Sequence, residues 1–214
     1  MADVEQYGRE ETIRVVRLAL KSGVDAVQIQ GTHISSHDLA GLTSEFLSLA
    51  NATLARVIVK GRLDVALAMR AHGIVLGERD LHPEAARELA LRLDRKDFLI
   101  GTTAHNKADV ARASAGTADY VLYGPVFDSP DEERFGAPVG ADMLAGICAE
   151  GWVSVIATGG ISPENVGTAI EMGAAGTACS RAIFESDDPA RIAKEWVEET
   201  RKLHIKEPGN QKEQ

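Results

Sequence analysis

Cysteine is nearly absent from this chain. Cys148 and Cys179 stand alone, which excludes a disulfide framework and every zinc-ligand spacing, and both read as core thiols in a reducing compartment. Basic charge is also scarce. Lys and Arg number 23 against 32 Asp and Glu, for a formal net charge of -9. Without a basic face to displace counterions, general nucleic-acid binding is excluded. A small phosphorylated ligand is not, since it needs only local N–H groups and one or two cations. No apolar run approaches the roughly 18 residues of a membrane span, and no charged-then-apolar leader opens the sequence. No membrane partner and a cytoplasmic location are therefore expected. No linker or charge block divides the chain, so residues 1–204 are expected to form one domain, with 205–214 a polar disordered tail. Residues 1–8 are polar and carry no strand signal.

What is present is regular alternation. Helical patterns fall at 10–21, 36–50, 63–71, 83–93, 107–115, 141–149, 164–172 and 189–203. Strand patterns fall at 24–30, 57–60, 73–77, 98–102, 120–127, 153–157 and 177–179. Strands alternating with helices mean a parallel sheet with right-handed crossovers. The fold class is α/β, a TIM-type (β/α)8 barrel whose first strand is missing or degenerate. Either the chain begins late or residues 2–7 supply a poor substitute. If neither holds, two unpaired edges would recruit a partner chain as a homo-oligomer. The closing helix should turn Ile192, Trp196, Val197 and Leu203 inward.

The stretch 153–165 organises the rest. A buried β-branched strand runs into Gly159-Gly160, and Ser162 and Pro163 have the types of an N-cap and a first helical residue. Glycine lets backbone N–H groups approach a ligand oxygen closely. Gly176 to Phe184 repeats the pattern, with Ser180 and Arg181 at the corresponding place. Two adjacent strand ends with exposed N–H groups and a guanidinium would seat a phosphate, where (β/α)8 barrels bind one. The alternative is that the glycine pair only makes a tight turn.

Nearly the whole of 24–184 resembles thiamine phosphate synthase and its relative, the thiazole tautomerase TenI. The resemblance rests on Val27-Gln28-Ile29-Gln30, on Lys60-Gly61-Arg62-Leu63-Asp64, and on Gly73-Ile74-Val75-Leu76-Gly77 with Asp80. Gly101-Thr102-Thr103-Ala104-His105, Gly124-Pro125-Val126-Phe127 and Thr158-Gly159-Gly160 complete it. It implies a reaction that joins a thiazole phosphate to a hydroxymethylpyrimidine diphosphate, with a carbocation-like pyrimidine forming as pyrophosphate leaves and Mg²⁺ neutralising the charge. It also implies a first strand ending near T-D-R, a motif absent before Val24.

The resemblance carries over unequally. The thiazole-phosphate seat is kept as Gly159, Gly160, Ser180 and Arg181. Gln28 and Thr103 are expected on the pyrimidine side. The diphosphate-binding Arg and Lys are replaced by Gln30 and Thr32, and an Asn and one metal-binding Asp by Lys60 and Gly61. Asp80 is the metal-ligand position that remains, so Mg²⁺ binding is expected to be weakened. Ser129 begins the stretch aligned with the family's T-x-T-K, and acidic residues follow it at Asp131, Glu132 and Glu133. The tautomerase histidine position holds Pro125. Lys60 reads either as an ammonium standing in for Mg²⁺, as a Schiff-base lysine, or as a solvated or salt-bridged side chain. Asp80 reads as a metal ligand or as a helix-start carboxylate, and His105 as a general acid or as a group at the next helix start. Arg62 and Asp64 are expected to make structural contacts, and the acidic loop 128–134 to be a lid or merely solvated. The functional expectation is a family member with its phosphate seat kept and its diphosphate half altered. The alternative is a non-catalytic or regulatory TenI-like binder of a phosphorylated heterocycle.

Overall fold

The computed structural model describes residues 1–129 and 136–205. Most of the acidic loop and most of the polar tail singled out above lie outside them. In chain order the elements are β1 (Ala2–Asp3), α1 (Val4–Tyr7), α2 (Arg9–Lys21), β2 (Ala26–Gln30), α3 (Ser36–Ala50) and β3 (Arg56–Lys60). There follow α4 (Leu63–Ala68), β4 (Gly73–Leu76), α5 (Pro83–Arg92), β5 (Leu99–Ala104), α6 (Lys107–Ala115) and β6 (Tyr120–Tyr123). The chain continues with α7 (Gly140–Ala149), β7 (Ser154–Ala157), α8 (Val166–Glu171), β8 (Gly176–Thr177), α9 (Arg181–Phe184) and α10 (Pro189–Ile205). The strands form one parallel sheet in sequence order, β1 to β8.

The first strand is present and degenerate, the second of the two alternatives above: residues 1–8 carry no strand signal, yet they supply a short substitute. Ala2 and Asp3 pair in parallel with Ile29 and Gln30. Two residues are too few to show a period of two, so the pattern hid it. The sheet's two ends then meet: the Met1 ammonium donates to the Cys179 carbonyl, and Ser180 Oγ donates to the Met1 carbonyl at 2.8 Å. With the substitute strand in place the condition for two unpaired edges does not arise, and this seam closes the barrel.

Side chains alternate between the barrel interior and the helix layer. Ile58, Val75 and Leu122 form the interior cluster, with Met1, Leu99, Tyr120 and Ile156 packed on it. The larger cluster, including Val57, Val59, Ile74, Ile100, Val121 and Val155, lies between strands and helices. The last helix turns Val197 inward, with Ile192 and Trp196 packed on the same core, and Trp196 Nε1 donates to Thr177 Oγ1 at 3.0 Å, anchoring β8. Among the described residues no helix is long and apolar enough to cross a membrane.

Local capping sets two of the helix starts. Ser35 caps α3 by accepting the Asp38 N–H at 3.0 Å, while Ser36 Oγ accepts from Arg62. The helix expected from 164 begins at Val166, because Asn165 first closes the loop: its Oδ1 accepts the Ser162 N–H at 2.9 Å and its Nδ2 donates to the Gly160 carbonyl at 2.7 Å. The short helices α1 and α9 carry too few residues for a periodic signal.

The Tyr120 ring occupies the space beside Gly101, where an added Cβ would lie 2.3 Å from its Cζ. Burial pushes the Tyr120 hydroxyl pKa well above its ordinary value. Gly101→Ala should therefore overpack the interior and destabilise the fold by about 1–3 kcal/mol, read from the midpoint of urea unfolding. An unchanged midpoint would show that the ring moves aside freely.

Candidate functional site

The strand ends open into one cavity of about 1190 Å³. Gln30, Lys60, Asp80, Thr103, His105, Ser129, Gly159, Gly160, Ser180 and Arg181 all line it. Gln28 does not, and lies two residues back on the same face of β2 with 8% of its surface exposed. Asp128, the first residue of the acidic loop, lines it as well, and so do two residues missed from sequence, Asp3 and Thr158. Thr158 Oγ1 is buried with no hydrogen-bond partner among the described residues.

Between β7 and β8 the backbone does most of the work. Gly159 and Gly160 have φ of +83° and +65°, conformations that disfavour a side chain. A Cβ on Gly160 would lie 2.4 Å from the Asp128 carbonyl, so the close packing reading of this glycine holds as well. The adjoining chain is knitted together by Val126 N–H to Thr158 O at 2.9 Å and Phe127 N–H to Gly159 O at 3.1 Å. Both bonds consume carbonyls. The N–H groups of Gly159, Gly160, Cys179 and Ser180 have no acceptor among the described residues.

The side chains here are engaged. Ser180 Oγ spends its proton on the Met1 carbonyl. Arg181 forms a fork on Glu185, with Nε and Nη2 at 3.0 and 2.9 Å from its two oxygens. That pairing lowers the Glu185 pKa. Cys179 is fully buried and its thiol is pushed up to about 11, so it stays protonated and unreactive.

On the other side, Lys60 ends β3 half-buried at the mouth. His105 Nδ1 lies 2.6 Å from the Gly124 carbonyl, which can only accept, so Nδ1 carries the proton. The His105 backbone N–H is held by Asp109 Oδ2 at 3.0 Å, at the start of α6. Arg62 grips Asp64 through two bonds of 2.9 and 2.6 Å and serves the turn after β3, as expected.

The implied Mg²⁺ can be tested against its donors. Asp80 Oδ2 already accepts the Gly77 N–H at 2.7 Å, closing the turn that leads to α5. Across from it stands Gly61, where a Cβ would be 3.4 Å from both Asp80 oxygens. Among the described residues no three His, Cys, Asp or Glu side chains gather as a metal site. This donor set does not fit a carboxylate-held Mg²⁺. Gly61→Asp would place a second carboxylate against the first, at a φ of +75° that Asp tolerates better than most residues. The variant should bind Mn²⁺ about tenfold or more tighter than the unmodified chain by electron paramagnetic resonance titration. Equal affinities would trace the misfit to the Asp80–Gly77 bond rather than to the absent carboxylate.

Known proteins are similar to this chain in sequence and fold. A family described as thiamine monophosphate synthase matches residues 2–183, so the match includes β1. A putative thiamine-phosphate synthase of Geobacter sulfurreducens is 36% identical over 194 residues, covering 91% of this chain and 89% of that protein. The thiamine-phosphate synthase of Methanospirillum hungatei is 32% identical over 186 residues, covering 87% and 88%. The structure of thiamine phosphate pyrophosphorylase from Pyrococcus furiosus superposes with a TM-score of 0.83 at 25% identity, over 94% of each chain. On its sequence and on the barrel that carries this cavity, the chain belongs to the thiamine monophosphate synthase family.

Proposed function

We propose that this chain seats the phosphate of a phosphorylated heterocycle on the amides between β7 and β8, with the ring in the remainder of the cavity. One observation carries the reading. The N–H groups of Gly159, Gly160, Cys179 and Ser180 lie in residues lining the cavity and have no acceptor among the described residues. Main-chain donors that have no partner within the chain and face an open cavity are available to an acceptor from outside. Successive N–H groups of this kind suit an anion. Arg181 adds a positive charge, and its exposed pairing with Glu185 costs only about 0–1 kcal/mol to exchange for phosphate.

The opposite half suits a diphosphate poorly. Gln30 and Thr32 replace cations there, Gly61 offers no ligand, and the Asp3 carboxylate lines the cavity beside Gln30. Like charge near a diphosphate is repulsive by about 1 kcal/mol per contact even in water. The favoured reading is therefore a ligand-binding member of the family whose coupling chemistry is reduced or lost. A second reading retains the coupling, in which the pyrimidine carbon–oxygen bond to diphosphate breaks and the thiazole nitrogen bonds to that carbon. It is favoured by one observation: Lys60, Asp80 and Thr103 still line the same cavity. The Lys60 ammonium would then stand beside the departing pyrophosphate in place of Mg²⁺.

Inorganic phosphate should raise the thermal midpoint and shift the ¹⁵N–¹H resonances of Gly159, Gly160 and Ser180. Arg181→Ala should weaken phosphate about tenfold. Saturating phosphate that left those resonances unmoved would refute the seat. The two readings separate in a coupling assay with both substrates, run with Mg²⁺ and with a chelator. Absence of product in both arms supports the binder; product in the chelator that disappears in Lys60→Ala supports the second reading, and product with Mg²⁺ alone removes the role given to Lys60.

A further inference from the structure

At the end of the barrel away from the cavity, an imidazole completes the sheet. His72 stands between α4 and β4, where the strands begin. Its backbone N–H donates to the Val57 carbonyl at 2.8 Å, and its Nδ1 accepts the Val57 N–H at 2.9 Å. One histidine thus takes both polar groups of a single residue of β3, its main chain serving one and its ring the other. On the far side the His72 carbonyl accepts the Leu99 N–H at 3.0 Å, so the bases of β3, β4 and β5 are joined through it. The strands are close here: a Cβ on Gly73 would lie 2.5 Å from the Leu99 carbonyl. Val57 is fully buried, and Ile58 after it belongs to the interior cluster.

A ring nitrogen that accepts a hydrogen bond cannot carry a proton, so this bond requires His72 to be neutral with its hydrogen on Nε2. A carbonyl in that place would accept at every pH, whereas the imidazole does so only while unprotonated. Its surroundings favour that state. Burial lowers the His72 pKa below its ordinary value, and so do the charges of Arg56, at the start of β3, and of Arg95, before β5. Asp97 acts the other way and least. Arg95 is 7% exposed, gives Nη2 to the Ala71 carbonyl at 2.7 Å, and keeps Nη1 buried with no hydrogen-bond partner among the described residues. A further positive charge beside that guanidinium would find only Asp97, whose exposed carboxylate already lies 3.5 Å from Arg95 Nε.

We propose that His72 is an acid-sensitive clasp on the bases of β3, β4 and β5. On protonation Nδ1 becomes a donor facing a donor, the Val57 N–H loses its acceptor, and the strand bases loosen at that point. The direction follows from linkage. The folded chain holds the His72 pKa below that of the unfolded chain, so the clasp contributes its full stability above the ordinary histidine value of about 6.5. That stability is lost as pH falls through the folded value. Lys60 and the cavity mouth lie at the opposite end of β3, so the clasp acts on the scaffold and does not depend on the phosphate seat.

The test follows the His72 ring and the Val57 amide together by nuclear magnetic resonance, between about pH 8 and about pH 5. The ring should titrate below the histidines of the urea-unfolded chain, and the Val57 ¹⁵N–¹H resonance should move with the same midpoint. Protection of that amide from hydrogen exchange should fall about tenfold across the transition. His72→Asn offers an oxygen near the place of Nδ1 that accepts at any pH, so its urea midpoint should vary less over this range than that of the unmodified chain. Arg56→Gln, at the exposed start of β3, should raise the pH at which His72 titrates. A ring that titrates at or above the unfolded histidines, or a Val57 amide indifferent to that titration, would overturn the proposal. The same pH dependence in a folded His72→Asn would overturn it too; if that variant does not fold, the two resonances of the unmodified chain decide.

Discussion

The barrel depends on a strand of two residues. Ala2 and Asp3 pair with Ile29 and Gln30 on one side, and Met1 reaches Cys179 and Ser180 on the other. Each such bond contributes only about 0.5–1.5 kcal/mol net, so the seam is held by packing around it. Tyr7 of α1 stacks on Phe184 of α9 with ring centroids 4.4 Å apart, and Trp196 of α10 bonds to β8. The seam also joins the two chemical halves of the cavity. The Cys179 and Ser180 amides stand on one flank of it, and Asp3 with Gln30 on the other.

This placement explains why the site divides as it does. The phosphate side is built from main chain, whose donors survive any change of side chain that leaves the loop in place. Gly160 shows how strictly the loop is kept, since the Asp128 carbonyl occupies the volume of any Cβ. The turn and the phosphate readings of the glycine pair are therefore compatible: the packing that demands glycine is the packing that leaves the N–H groups unpaired. The opposite side is built from side chains, Gln30 and Thr32 among them, with a bare glycine at Gly61.

Much of this was legible in the sequence. The 107–115 helix falls where its pattern puts it, because Asn106 caps it and Gly116 ends it. The parallel barrel followed from the alternation of strands and helices. The failures are short-range ones. A two-residue strand has no period, so Asp3 read as part of a polar leader and its hold on Gln30 was invisible. Ser162-Pro163 has the residue types of a helix start, but the Asn165 amide bonds back to Gly160 and delays the helix. The pairing of Arg181 with Glu185, four residues on, is one that the sequence does display as an i,i+4 spacing. The bond from Gly77 to Asp80 depends on a turn geometry that residue types alone do not give.

The central claim concerns the main-chain donors between the last two strands, and a crystal structure determined with inorganic phosphate tests it most directly. The account predicts a tetrahedral anion within hydrogen-bonding distance of the Gly160 and Ser180 amides, with Arg181 released from Glu185 to meet it. Phosphate bound instead beside Gln30 and Thr32, with only water on those amides, would contradict it.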